Sequence, residues 1–155
     1  MTQSTITLIF SKRRSLGSML IRYFTWSRWS HVGLVAGDRV IESIAGHGVR
    51  EVPLASAIRG QDYRFEHLPC ANPAAVIAAA RSQLGKPYDI GAIFGFLGRR
   101  NWQGRDAWFC SELIAWAFEH AGAALFRADR VHRVTPEHLW MLTGAAAPQP
   151  VPASI

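Results

Sequence analysis

The chain has 155 residues, of which 49% are hydrophobic, 18% charged and 11% aromatic. This composition excludes a disordered, collagen-like or coiled-coil chain and fits one globular domain. At this length folding buries roughly 70% of the surface that the unfolded chain exposes, so a core forms without disulfide or metal staples. The net charge of +6 comes from fifteen arginines and two lysines against eleven acids. Apart from Lys12-Arg13-Arg14 and Arg99-Arg100 the basic residues are scattered, and no helix-turn-helix, zinc-finger or RNP pattern accompanies them, so specific nucleic-acid recognition is not expected.

In chain order, Thr5 to Phe10 reads as an opening β-strand. Ser15 then caps a helix whose apolar face is Leu16, Met19, Leu20, Tyr23 and Phe24. Arg22 and Trp26 on this helix, with Arg28 and Trp29 just beyond, suit a membrane-surface helix as well as one packed on its own core. His31-Val-Gly-Leu-Val-Ala and Arg39-Val-Ile-Glu-Ser flank Gly37-Asp38 and predict a hairpin with a two-residue loop. Ala36 then pairs with Arg39, Gly33 faces Glu42, and His31 shares a face with Glu42 one diagonal step away. A one-residue change in loop length would put them on opposite faces.

Tyr63 to Leu68 alternates as a further strand, and Asn72-Pro73 caps an alanine-rich helix that Gly85 closes. Trp108 to Gly122 carries an apolar stripe at positions 110, 113, 114, 117, 118 and 121, so Cys110 opens a helix on its buried side. Ser111 turns away around the helix, and Glu112 and Glu119 are expected on the outer face, paired with arginines. Thr135-Pro136-Glu137 announces a last short helix. Gly144 to Ile155 is too rich in proline to hold a helix. These boundaries predict a single domain over residues 1–143 and a flexible tail over 144–155.

Cys70 and Cys110 have neither C-x-x-C nor zinc-type histidine spacing and read as free thiols, and no metal or other cofactor is expected. Residues 1–10 have no basic segment before the apolar run, which argues against a cleaved export signal. The longest apolar run, Ile90 to Leu97, is less than half of a membrane span. A cytoplasmic chain, of host or phage origin, is therefore expected, with peripheral contact as the limit of membrane association. Oligomeric state is not readable from the residues.

A thiol becomes a useful nucleophile as thiolate, which the unsatisfied amides of a helix N-terminus and a neighbouring imidazolium both favour. Cys110 has the first and needs the second. His31 opens a strand, and Glu42 is the acceptor that the hairpin register offers to fix its tautomer. These residues compose a Cys110, His31, Glu42 triad, although a cysteine on an apolar helix face and a histidine on a strand also occur as packing residues. His47, in Gly46-His-Gly, is the alternative orienter should the register differ. Cys70 has no helix terminus to activate it.

Gly85-Lys-Pro-Tyr-Asp followed by Trp108-Phe-Cys-Ser-Glu-Leu-Ile resembles the glycine-x-proline-tyrosine and cysteine-helix segments of the NlpC-like cysteine peptidases, a branch of the papain-like hydrolases. Here Ser30-His-Val-Gly-Leu-Val comes first, Glu42 eleven residues after the histidine, and Cys110 last. That order resembles the circularly permuted group, which also includes the lecithin:retinol acyltransferase-like enzymes, and Thr135-Pro136-Glu137-His-Leu resembles its closing helix. The resemblance implies an α+β papain-like fold, with the cysteine helix packed on an antiparallel, partly barrel-like sheet. It also implies a cysteine peptidase or amidase working through a thioester acyl-enzyme, with Tyr88 lining the site or donating to the oxyanion. A peptide of the peptidoglycan type is the first expected substrate and an acyl lipid the second. An inactive binding module of the same fold is the alternative.

Overall fold

In the computed structural model the described residues are 4–12, 16–89 and 107–146. Ser15, the run Ile90 to Leu97, Arg99-Arg100 and the tail beyond Ala146 lie outside them. Five strands form one open antiparallel sheet in the order β4-β3-β2-β1-β5: β1 Thr5–Lys12, β2 His31–Ala36, β3 Arg39–Ile44, β4 Gly48–Pro53 and β5 Asp62–Pro69. The helices are α1 Leu16–Thr25, α2 Leu54–Ile58, α3 Pro73–Arg81, α4 Cys110–His120 and α5 Pro136–Ala146, with a 3₁₀ turn over Ala128–Arg133. Among the described residues no helix is long and apolar enough to cross a membrane.

The β2–β3 hairpin has the predicted register: Ala36 pairs with Arg39, Val35 with Val40 and Leu34 with Ile41. Gly37, at φ +66°, supplies the positive φ that a tight two-residue hairpin loop requires at its first central residue. Alternation then divides the sheet. Ile6, Leu8, Phe10, Val32, Leu34 and Ile41 point into the main core, which α4 completes with Leu113, Ile114, Ala117 and Phe118. Ile9 and Val40, on the other face, are covered by Ala57 of α2.

The predicted caps at Asn72 and Thr135 form. The Asn72 side chain accepts from Ala75 N–H at 3.1 Å, with Pro73 at the first helical position. The Thr135 hydroxyl accepts from His138 N–H, which also donates to the Thr135 carbonyl at 3.1 Å, while His138 Nδ1 accepts from Thr135 N–H at 3.0 Å, a reciprocal arrangement of the capping-box kind. α5 is helical through Ala146, three residues beyond the expected boundary and the last described residue.

Two expectations are corrected. On α1 it is Ser18 that is buried, with Ile21, Arg22 and Thr25 half-buried, and two residues of the expected apolar face point to solvent. Met19 and Tyr23 are exposed, and Trp26 beyond the helix is 91% exposed. The Ser18 hydroxyl donates to Ser30 Oγ at 2.7 Å, next to His31, which fixes that small polar face toward the sheet. Glu112 is 2% exposed, not on an outer face with an arginine. The reason is that α4 is the central helix, packed by β2, β3, α3, the 3₁₀ turn and α5, so its first two turns are enclosed on nearly every side.

Candidate active site

Three elements meet at the start of α4. Ser30 ties the first residue of β2 to β1, its N–H and hydroxyl both donating to the Ser11 carbonyl at 3.2 and 3.3 Å. The chain entering α4 is fastened to β3 by the Ser43 hydroxyl, which donates to the Trp108 carbonyl at 2.6 Å. The Gly85-Lys-Pro-Tyr-Asp segment is clamped between β4 and that entry. Val49 N–H donates to Lys86 O at 2.8 Å and Gly85 N–H to Val49 O at 2.9 Å, while Trp108 N–H donates to Pro87 O at 3.0 Å. Gly48 makes the clamp possible, because a Cβ at this residue, held at φ +71°, would run into the Lys86 carbonyl. Tyr88 is thereby delivered to a short parallel bridge with Trp108, its ring 5.9 Å from that of Phe109.

This scaffold brings Cys110, His31 and Glu42 together. His31 Nε2 lies 2.8 Å from Glu42 Oε2, and the His31 ring also hydrogen bonds the Cys110 side chain. With Nε2 committed to the carboxylate, Nδ1 is the ring nitrogen left for the thiol. Cys110 is the first residue of α4, preceded by Phe109, whose apolar side chain has no oxygen with which to cap the first-turn amides. Burial opposes a charged His31, but the hydrogen bonds and charges of Cys110 and Glu42 outweigh it and raise the imidazole from 6.5 to about 10. Burial likewise opposes ionised Glu42, yet His31 and Arg50 together pull its carboxyl down to about 2.

Arg50 was not singled out in the sequence. It lies opposite Glu42 on β4 and donates to Glu42 Oε1 from Nε at 3.0 Å and from Nη2 at 2.8 Å. Its signal was a third strand after the Ala45–His47 turn, whose register sets an arginine beside the glutamate. His47, the other candidate orienter, is exposed in that turn. Tyr88 stays protonated well above its ordinary range, through burial and the negative charge of Cys110, Glu112 and Asp89, so its hydroxyl remains a donor. Ser111 is buried with its hydroxyl donating to the Val134 carbonyl, away from the site chemistry. Cys70 is a free, buried thiol whose backbone N–H bonds Ser4 O.

Glu112 is a further group that the outward-facing expectation missed. Its Oε2 accepts from Phe109 N–H at 3.3 Å, holding the turn that starts α4, while Oε1 has no hydrogen-bond partner among the described residues. Burial, opposed by that hydrogen bond and assisted by the Asp89 charge, raises its carboxyl to about 8, so it is mostly neutral at pH 7.

The linked shifts predict a pH window. The raised His31 contributes stability that is complete below 6.5 and lost as the pH climbs toward about 10. The lowered Glu42 contributes stability that is complete above 4.5 and lost as the pH falls toward about 2. The stability difference between wild type and a His31→Ala/Glu42→Gln variant, followed by denaturant midpoints, should therefore be largest between pH 4.5 and 6.5 and shrink on both sides. A difference independent of pH would contradict the ionised pair.

A helix-borne cysteine meeting a strand-borne histidine, with the cysteine last in chain order, is the arrangement of a circularly permuted papain-like cysteine hydrolase. Residues 7–145 match the family described as permuted papain-like amidase enzymes, YaeF/YiiX, C92, and the chain belongs to that family. It is accordingly a cysteine hydrolase of the amidase kind. The crystal structure of metalloprotein YiiX from Escherichia coli O157:H7 is similar, at 25% identity and a TM-score of 0.60, with 78% of this chain and 67% of that chain covered. A comparison with curated proteins finds no match.

Proposed function

We propose that the chain cleaves an amide through a thioester acyl-enzyme, with Cys110 as nucleophile, His31 as general base and then general acid, and Glu42 as its orienter. The relay at the start of α4 carries the reading: Glu42 Oε2 on His31 Nε2 at 2.8 Å, and the same ring hydrogen bonded to Cys110. The thiol proton is already carried by His31, which the site holds as imidazolium, and the sulfur attacks the substrate carbonyl to give a tetrahedral adduct. The negative oxygen of that adduct is received by the Cys110 N–H at the helix N-terminus and by the Tyr88 hydroxyl. Imidazolium then gives its proton to the leaving amine, and the C–N bond breaks to leave the thioester. Water, deprotonated by His31, attacks the thioester and releases the acid and the thiol.

The relative YiiX is described as a metalloprotein. Among the described residues no group of three or more His, Cys, Asp or Glu side chains is placed to hold a metal ion, and Glu42 is already committed to His31 and Arg50. The donors among the described residues do not fit a metal centre, and no step is routed through one.

A peptide of the peptidoglycan type is the substrate class we propose. The test is a panel of a peptidoglycan stem peptide, an acyl-ester lipid and an acyl thioester, with acyl transfer to Cys110 read by mass spectrometry. Preferential turnover of the stem peptide is expected. Preference for the lipid ester would move the assignment to an acyl hydrolase of the same fold, and no acylation by any member would leave a binding module.

A further inference from the structure

We propose that Arg50 is a positioning residue of this site, acting on the reaction through Glu42 and not through substrate. This inference rests on the proposed roles of Cys110, His31 and Glu42. The geometry divides the Glu42 carboxylate between two partners. Oε2 faces His31 Nε2 at 2.8 Å, while Oε1 receives both Nε and Nη2 of Arg50, at 3.0 and 2.8 Å. A carboxylate with only one partner can rotate about its last torsion and offer either oxygen at several angles. Fixed from behind by two N–H groups of a rigid guanidinium, it presents a single oxygen in a single direction.

The side chain is also held by its surroundings. Arg50 stands directly opposite Glu42 in the β3–β4 ladder, and the neighbouring Gly48 and Val49 dock the segment that carries Tyr88. One edge strand therefore sets both the orienter and the tyrosine. Arg50 is about one-third exposed where Glu42 is buried, so the cation closes the solvent side of a carboxylate that His31 closes from within. Lysine keeps the charge but offers a single nitrogen in place of the fork, and methionine keeps much of the length without charge or donors.

The experiment is a double-mutant cycle between Arg50 and Glu42, read as the rate of acetylation of Cys110 by p-nitrophenyl acetate and as kcat and KM in hydrolysis of the same probe. Arg50→Met should lower kcat by about 10- to 100-fold with little change in KM, and Arg50→Lys should recover part of the loss. On a Glu42→Gln background the same Arg50→Met change should cost less than about twofold, because its route to the histidine has already been cut. The acid limb of the wild-type profile should also move to higher pH in Arg50→Met, since the carboxyl loses one of the two cations that keep it ionised. A purely structural arginine would give equal losses on both backgrounds, with an unmoved acid limb and a lowered melting temperature. That result, or an Arg50→Met enzyme equal to wild type, would overturn the proposal while leaving the triad intact. Failure of wild-type Cys110 to be acetylated at all would overturn the triad reading and this inference with it.

Discussion

Replacing Cys110 by alanine should abolish turnover, with a loss on the order of 10⁴-fold or more, whereas Cys70→Ala should leave kcat within about a factor of two. The two thiols are chemically alike and both buried, so only their surroundings separate them. Cys110 opens α4, where first-turn amides lack intrahelical acceptors, and its side chain is hydrogen bonded to His31. Cys70 follows β5, packs in the main core and has no histidine among the partners described. Losing its sulfur leaves a small void and a modest stability cost, without effect on a proton relay. Steady-state hydrolysis and mass spectrometry of the acyl-enzyme check both halves. Retained acylation in Cys110→Ala would remove the nucleophile from the mechanism.

Glu42→Gln should fold and bind substrate but turn it over about 10- to 10⁴-fold more slowly, the spread expected when an orienter and not a nucleophile is altered. The amide oxygen can still accept from Arg50, which places the NH₂ group toward His31 Nε2. That nitrogen then accepts a hydrogen bond, the ring proton moves to Nδ1, and the ring has no lone pair left for the thiol proton. His47→Ala, in the exposed turn, should leave kcat unchanged. Glu42→Leu is a different case: it leaves a cation in Arg50 and a polar ring in His31 facing an apolar side chain, and should cost about 3–5 kcal/mol of stability. Activity at the wild-type level in Glu42→Gln, together with impairment in His47→Ala, would reverse the assignment of the orienter.

Much of this site was legible because its parts are set by short-range rules. The Gly37-Asp38 loop has two residues, so the register follows by counting, and Leu34 indeed pairs with Ile41. Asn72-Pro73 and Thr135-Pro136 mark helix starts through the hydrogen bonds that their side chains can make within three residues. Cys110 sits at a helix start because the apolar period begins there. None of these readings needs knowledge of a distant neighbour.

Where the reading failed, a distant neighbour was decisive. Glu112 lies on the polar side of its own helix by periodicity, yet so many elements pack around this central helix that its first two turns are enclosed, and burial leaves Glu112 mostly neutral at the entry to the site. Met19 and Tyr23 look like a core face, yet the bond between Ser18 and Ser30 turns that face to solvent.

By itself, then, the sequence determined β1, β2, β3, β5 and four of the helices, but not β4, α2 or the 3₁₀ turn, together with the hairpin register that puts His31 and Glu42 on one face and a permuted order with the cysteine last. Local geometry suffices for each of these, because backbone periodicity and turn length act over a few residues. The tertiary structure alone decided that Cys110 reaches His31 across 79 positions of chain, that Arg50 fastens the carboxylate behind it, and that β4 holds the segment carrying Tyr88 against the entry to α4. Those contacts depend on how helix and sheet pack, and packing is settled by all the buried surfaces at once, not by any one segment.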